Sequence, residues 1–362
     1  MKNLDMFDIC GENKLSDFAV EARASLVVDY AKNRKAIYVC SHSGGKDSQA
    51  QYIEMCKIIP HDQIIVVHVH LGEYEHDGVI EHIKATINHE LVVLEPMHTL
   101  GDAILLRGMF PSAKMRWCTS GLKTATINKY IRRMMDENGY TVGFNCVGIR
   151  AEESPGRALK TPLVINNNLN APTKNREVYD WYPVYAHSTD EVFDTIEAAG
   201  QAPHPMYGNR GDKNTRLSCA LCILSNKNDL TNGAIAKPEL YHHYIALERV
   251  IDHTMFVRQK NKQPVPVSIS EKVGIEFDEL EVQRLIPELT KRREELLAEK
   301  AAKEAAKEAA KAEKNKAKRT KKTHRKRDMD TIDLFTGETE REVAYRLAPT
   351  IYESPCFARA FS

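Results

Sequence analysis

Apolar positions recur along the chain in two alternating periods. Ala36-Ile37-Tyr38-Val39-Cys40, Ile64-Ile65-Val66-Val67-His68-Val69 and Leu91-Val92-Val93-Leu94 are short apolar runs dense in β-branched residues, the pattern of strands buried on both faces. Between them, Gln49 to Ile58 and Val79 to Asn88 read as helices, the first closed by Pro60. The alternation continues with a helix over Leu122–Met135 and a strand over Phe144–Ile149. Then come an exposed polar loop from Asn166 to Arg176, a short strand at Trp181-Tyr182-Pro183-Val184, and a helix over Glu191–Ala199 capped by Ser188. Upstream, Ser16 caps a first helix whose Phe18, Ala19, Ala22, Leu26 and Val27 recur at helical spacing up to about Ala31. Strand and helix in turn predict right-handed βαβ units, and so an α/β fold with a doubly wound, mainly parallel sheet.

Past Tyr241 the pattern predicts two or three amphipathic helices, up to about Leu297. From Ala298 the chain repeats Ala-Ala-Lys-Glu, with Glu and Lys placed to support an isolated solvated helix. It then turns into Lys-Arg-Thr-Lys-Lys-Thr-His-Arg-Lys-Arg over 318–327. The expected organisation is an α/β domain over 1–240, a helical C-terminal extension over 241–297, a basic helix or linker over 298–327 and a tail over 328–362.

Composition adds three constraints. The 362 residues are 42% hydrophobic and 28% charged, ordinary for a globular protein. No run approaches the roughly 20 apolar residues that span a bilayer, and Met1-Lys2-Asn3-Leu4-Asp5 opens no secretory signal. The expectation is a cytoplasmic protein without a membrane partner, in which eight cysteines do not make a disulfide framework. The net charge of +1 conceals an asymmetry: Lys291 to Arg327 holds 16 Lys and Arg against 6 Glu, a net of +10, so the remainder carries about −9. That segment suits contact with nucleic-acid phosphates or service as a solvated spacer. It lacks the interleaved aromatic residues that stack on bases.

The candidate chemistry begins after the first strand. In Ser43-Gly44-Gly45-Lys46-Asp47-Ser48 two glycines let the backbone approach an anion, and the following helix start aims N–H groups and its dipole at the same place. Lys46 adds a full charge, Ser41, Ser43 and Ser48 add hydroxyls, and Asp47 offers oxygens to Mg²⁺. Asp47 stands where a Walker loop has Ser or Thr, which argues against a γ-phosphate grip.

This loop resembles the pyrophosphate loop of the adenine-nucleotide α-hydrolase superfamily, which includes GMP synthetase, tRNA thiolation enzymes and phosphoadenosine-phosphosulfate reductase. Further segments are similar to the reductase-like branch over about residues 35 to 225. They are His68-Val69-His70-Leu71-Gly72-Glu73; Pro111-Ser112 with Arg116-Trp117-Cys118-Thr119 and Lys123; Gly148-Ile149-Arg150-Ala151-Glu152-Glu153-Ser154 with Arg157; and His204-Pro205-Met206-Tyr207 followed by Arg216-Leu217-Ser218-Cys219-Ala220-Leu221-Cys222. The resemblance implies a Rossmann-like sheet that binds ATP or another adenine nucleotide with Mg²⁺. Lys46, Asp47, Lys123 and Arg150 are then the candidate catalytic residues. Arg116 and Arg157 join the loop in holding phosphate or sulfate.

Cys219 and Cys222 have the spacing with which two thiolates face one metal or cluster. The resemblance sets Cys118 beside them, which implies a [4Fe–4S] cluster with one open iron. Zinc held by the three cysteines and His204 is the alternative, and unmetallated thiols a third. Cys10, Cys40, Cys56 and Cys146 sit in or beside apolar segments and are expected in the core. Two departures from the reductase pattern stand out. Cys356 lies in Ser-Pro-Cys-Phe-Ala rather than in a Glu-Cys-Gly-x-His segment, and His70 occupies a position where that branch commonly has Asp.

Three functions follow as expectations. The first is ATP-dependent sulfur transfer with release of AMP and pyrophosphate, acting on a nucleic acid and fed by a sulfur-donor protein. The second is reduction of adenylyl sulfate or its 3′-phosphorylated form to sulfite. The third is a nucleotide-sensing, nucleic-acid-binding regulatory or defence protein.

Overall fold

The computed structural model describes residues 29–31 and 34–329. A six-stranded sheet is built from β1 (Ala36–Ser41), β2 (Ile64–Val69), β3 (Leu91–Leu94), β4 (Val142–Val147), β5 (Leu163–Ile165) and β6 (Glu177–Trp181), in the order β3-β2-β1-β4-β6-β5. All neighbours run parallel except β5, which is antiparallel to β6. The α/β, mainly parallel sheet read from the sequence is the observed fold.

Both faces of the sheet are apolar because successive side chains of each strand alternate sides. Tyr38, Cys40, Val66, Phe144, Cys146 and Tyr179 pack into one core, where α1 (Lys46–Ile58) contributes Tyr52 and Met55 and α2 (Val79–Thr86) contributes Val79 and Ile83. Ile37, Val39, Val67 and Val178 face the other side, against Ile131 and Met135. A third helix, α3 (Leu100–Arg107), is capped by the Thr99 hydroxyl and closed by Gly108 at φ 62°. It is followed by α4 (Ala125–Asn138), which carries Ile131 and Met135, and by α5 (Thr189–Ala198), whose Phe193 joins the first core. Tyr38 stacks on Phe144 with ring centroids 4.6 Å apart, a cross-strand aromatic pair of the kind that adds about 0.5–1.5 kcal/mol beyond burial.

Several elements depart from the expected ones. The strand expected at Trp181–Val184 ends at Trp181, because Pro183 has no N–H to give a ladder. The strand expected to reach Ile149 stops at Val147, where the Ile149 N–H turns back to the Val147 carbonyl at 2.8 Å. The loop from Asn166 to Arg176 is anchored rather than wholly exposed: Asn166, Leu169 and Arg176 are buried. Downstream of α6 (Lys227–Ala236) and α7 (Pro238–Ile251), the expected run of helices is interrupted by a hairpin of β7 (Phe256–Lys260) and β8 (Gln263–Val267). Its two-residue turn, Asn261 and Lys262, has φ of 53° and 63°, the left-handed pair that matches strand twist. A short α8 (Ile269–Val273) precedes α9 (Glu279–Met329), which takes in all of 298–327.

The chain divides into two compact units, one ending at Arg293 and the other beginning at Glu294. The expected first helix lies outside the described residues apart from residues 29–31, which are helical. Cys10, Cys356 and the tail from 330 also lie outside them. Among the described residues no helix is long and apolar enough to cross a membrane.

Candidate active site

The strand order changes direction between β1 and β4, and open α/β sheets hold ligands at the carboxyl ends of strands beside such a switch. A cavity of about 530 Å³ lies there. It is lined by Ser41, Ser43, Lys46, Asp47 and Ser48 of the loop, by Arg150 and Arg157 after β4, and by Lys123.

Loop geometry explains its glycine. Gly44 has φ 77°, and a Cβ there would meet Val79 Cγ1 at 2.8 Å, so a side chain is excluded on both counts. The Gly44 N–H donates to His42 Nδ1 at 3.1 Å, and the Ser43 N–H donates to Ser48 Oγ at 3.1 Å. Burial, then the neighbouring His68 and His82, pulls the His42 pKa down to about 3. That imidazole is therefore neutral, with Nδ1 accepting and the proton on Nε2, which is buried without a partner.

Tyr207 pins the loop from the far side of the chain. Its buried hydroxyl accepts from the Lys46 N–H at 3.2 Å and from the Leu217 N–H at 3.0 Å. It thereby ties the first turn of α1 to the segment that carries Arg216 and Cys219. At the end of β4, a Cβ on Gly148 would lie 2.8 Å from the Asp47 carbonyl oxygen and 3.1 Å from the Ser48 nitrogen. Only glycine lets that strand end pass the loop.

Charge inside the cavity is arranged around Asp47. Its carboxylate is 3.1 Å from Lys46 Nζ and 2.6 Å from Arg150 Nε. Arg150 also donates to Glu152 at 2.7 Å, to the His187 carbonyl at 3.2 Å and to Thr189 Oγ1 at 3.2 Å. Arg150 is thus buried at the cavity wall and orients Asp47 and its surroundings. Arg157 is half-buried and pairs with Glu153. Its pKa is lowered by burial and by the positive fields of Arg216 and Arg116. An anion between these guanidinium groups relieves such mutual repulsion. Arg216 lines the cavity and Arg116 does not.

Beside this cationic wall stand the thiols. Cys118 opens a π-helical turn, Cys118–Thr124, that also carries Lys123. Burial would lower the Lys123 pKa, but Cys219, Glu75, Cys222 and Cys118 together raise it above the ordinary value. Burial pushes the Cys219 thiol up to about 12 and raises that of Cys118, so a cation is needed to hold them as thiolates. The Leu224 N–H approaches Cys222 Sγ at 3.5 Å, the kind of donor that supports a ligating sulfur. Cys118, Cys219 and Cys222 all act on the Lys123 ammonium, a donor set that suits an iron–sulfur cluster; among the described residues their three sulfurs do not lie within 4.8 Å of one another, as one zinc ion would need. His204 sits elsewhere, its ring 5.1 Å from that of His82 and its Nδ1 accepting from the Met206 N–H. No set of metal-capable ligand atoms within 4.8 Å of one another joins it to the cysteines among the described residues. Cys40 and Cys146 are buried in the core and Cys56 is half-buried beside it.

Sequence reasoning singled out the loop, Lys123, Arg150, Arg157 and the cysteines. Tyr207, Arg216 and His68 lay in the quoted motifs without an assigned role, and His42, Asn145 and Thr189 were passed over although all six line the cavity. Asn145 could have been found as a polar residue inside an apolar strand; it donates to Asp180 at 2.8 Å.

Residues 37–224 match the model of the phosphoadenosine phosphosulfate reductase domain. An uncharacterized 37.8 kDa protein in the gpa 5′ region of Escherichia phage 186 is 26% identical over 173 residues, 47% of this chain and 49% of that protein. The chain thus spans about half the length of this curated relative. Among solved structures, phosphoadenylyl-sulfate reductase from Candida auris in its phosphate complex aligns with 10% identity over 54% of this chain and 93% of its own, at a TM-score of 0.32. A 4-thiouridine synthetase–RNA complex with bound ATP aligns with 13% identity over 60% and 53%, at a TM-score of 0.29. The family model covers more than half of the sequence, and the chain belongs to the phosphoadenosine phosphosulfate reductase domain family.

Proposed function

We propose that this chain is an ATP-using enzyme of sulfur transfer that cleaves between the α and β phosphates. The observation that carries the reading is the adjacency of three features: the Ser43–Ser48 loop and Lys123 on one cavity, and Cys118, Cys219 and Cys222 about Lys123. The start of α1, through its dipole, and the Lys46 ammonium hold the pyrophosphate portion. Asp47, kept in place by Arg150, offers an oxygen to Mg²⁺. Arg157 and Arg216 hold the remaining anionic oxygens, and Arg116 adds its field from outside the lining.

An acceptor oxygen attacks the α-phosphorus, the bond to the bridging oxygen breaks, and pyrophosphate leaves with the electron pair. A sulfur nucleophile from a donor protein then displaces AMP from the adenylated acceptor. A [4Fe–4S] cluster on Cys118, Cys219 and Cys222 would supply an open iron able to carry sulfur. The basic stretch of α9, exposed from Ala298 to Asn315, suits a nucleic-acid acceptor through phosphate contacts.

The test is product analysis with ATP and cell nucleic acid. AMP and pyrophosphate in equal amounts support the reading, and orthophosphate as the only phosphate product refutes it. The family's own description favours a second reading, reduction of adenylyl sulfate or its 3′-phosphorylated form. Sulfite release from either compound with a thiol reductant would establish it in place of the first. ATP-independent nucleic-acid binding without turnover would favour the sensor reading.

A further inference from the structure

His68 lies near the end of β2 and His70 follows two residues later, so both imidazoles project from the same side of the strand direction. The chain then makes a 3₁₀ turn, Gly72–Tyr74, which returns the Glu75 carboxylate to the pair. Glu75 Oε2 is 3.0 Å from His68 Nε2 and 3.0 Å from His70 Nδ1, while Oε1 lies 3.8 Å from Lys123 Nζ. One ligand atom from each of the three residues lies within 4.8 Å of the others. His68 and Glu75 are buried, and His70 is 32% exposed.

With neutral rings the hydrogen bonds do not close, so a proton or a metal ion stands between His68 and Glu75. His68 Nδ1 is 2.9 Å from the carbonyl oxygen of His42, which can only accept, so Nδ1 carries the proton. In the neutral ring Nε2 is then a bare lone pair, and it faces a carboxylate oxygen at 3.0 Å. Two acceptors at that distance need a positive charge between them. A carbonyl that accepts from Nδ1 and leaves Nε2 free is also the usual support of a metal-ligating histidine.

We propose that His68 Nε2, His70 Nδ1 and Glu75 Oε2 bind a divalent transition-metal ion of the zinc type. Metal–donor distances of about 2.0–2.2 Å place tetrahedral donors roughly 3.3 Å apart, close to the spacing found. Two imidazoles and a carboxylate suit Zn²⁺ or Fe²⁺ rather than Mg²⁺ or Ca²⁺. Three protein ligands leave a position open, the arrangement of catalytic rather than structural zinc, and His68 lines the cavity. The site is distinct from the cysteines, although Glu75 is bridged to Cys219 through the backbone. It does not depend on the reaction proposed above.

The test uses the full chain, freed of metal and titrated with Co²⁺ as a spectroscopic stand-in for zinc. Expected is one Co²⁺ bound without the intense thiolate charge-transfer absorption, displaced by Zn²⁺. His70→Ala, at a half-exposed position, should weaken it tenfold or more with the circular-dichroism spectrum unchanged, and Glu75→Gln should do likewise. Binding that is undiminished in both variants, binding seen only through thiolate absorption, or no binding at all would overturn the proposal and leave an imidazolium–carboxylate pair.

Discussion

Arg150 Nε lies 2.6 Å from Asp47 Oδ1 and joins the end of β4 to the first turn of α1. Asp47 keeps some contact with the cavity, whereas the Arg150 side chain is only 4% exposed. Arg150→Ala leaves a partly buried carboxylate with Lys46 alone, and removing one partner of a buried pair costs about 3 kcal/mol. The midpoint of urea unfolding should fall accordingly, and nucleotide affinity should fall at least tenfold. Arg150→Lys should recover part of the stability but not the four-way orientation, since it lacks the planar fork. An Arg150→Ala protein with native nucleotide affinity would show that the pair does not shape the loop.

Tyr207→Phe removes an acceptor shared by two buried N–H groups, those of Lys46 and Leu217. An unsatisfied buried donor costs about 1–3 kcal/mol. The expected result is a loss of that size in unfolding free energy together with a raised KM for the nucleotide, because the loop loses its tie.

Gly148→Ala places a methyl group against the Asp47 backbone at 2.8 Å, where no flexible side chain can yield. Destabilisation of about 1–3 kcal/mol is expected from overpacking, with a larger loss of turnover than of stability. The comparison of kcat with thermal midpoint checks it.

Glu248 supplies a prediction away from the cavity. Its buried carboxylate accepts from the Met255 N–H at 2.7 Å and the Ile269 N–H at 3.0 Å, and burial raises its pKa to about 7 from 4.5. The folded chain therefore holds a proton that the unfolded chain has lost between those values. The resulting stability is full below about pH 4.5 and is lost as the pH rises to about 7. Glu248→Gln keeps one acceptor oxygen and does not titrate. Its advantage over the native chain should grow from about pH 4.5 to 7, reach on the order of 3 kcal/mol, and then stay level. A gap independent of pH would contradict this.

The sheet and the loop were legible because their signals are local: β-branched runs, helical spacing, and a glycine pair between strand and helix. Tyr207 was not, because its role arises only when a chain separation of 161 residues is closed onto Lys46. The β7–β8 hairpin escaped because Pro264 and Pro266 in β8 obscure the strand period and an Asn-Lys turn is a weak signal. The His68–His70–Glu75 group was half visible: the histidines share a motif, but only the Gly72–Tyr74 turn brings the carboxylate to them. Arg150 illustrates the reverse case. Its position after a strand was readable, but its commitment to Asp47, Glu152 and Thr189 depends on the first turns of α1 and α5, which bring Asp47 and Thr189 to it across 103 and 39 residues of chain.

The central claim is that Ser43–Ser48 grips a pyrophosphate unit. Turnover waits on an acceptor, whereas binding does not, so calorimetric titration of the full chain with Mg²⁺ and inorganic pyrophosphate is the most direct measurement. Expected are pyrophosphate bound at least tenfold more tightly than orthophosphate, competition with ATP, and a loss of about 10²-fold in Lys46→Ala, the scale set by one preorganised charge. Equal affinity for the two anions, or binding that Lys46→Ala leaves unchanged, would contradict it.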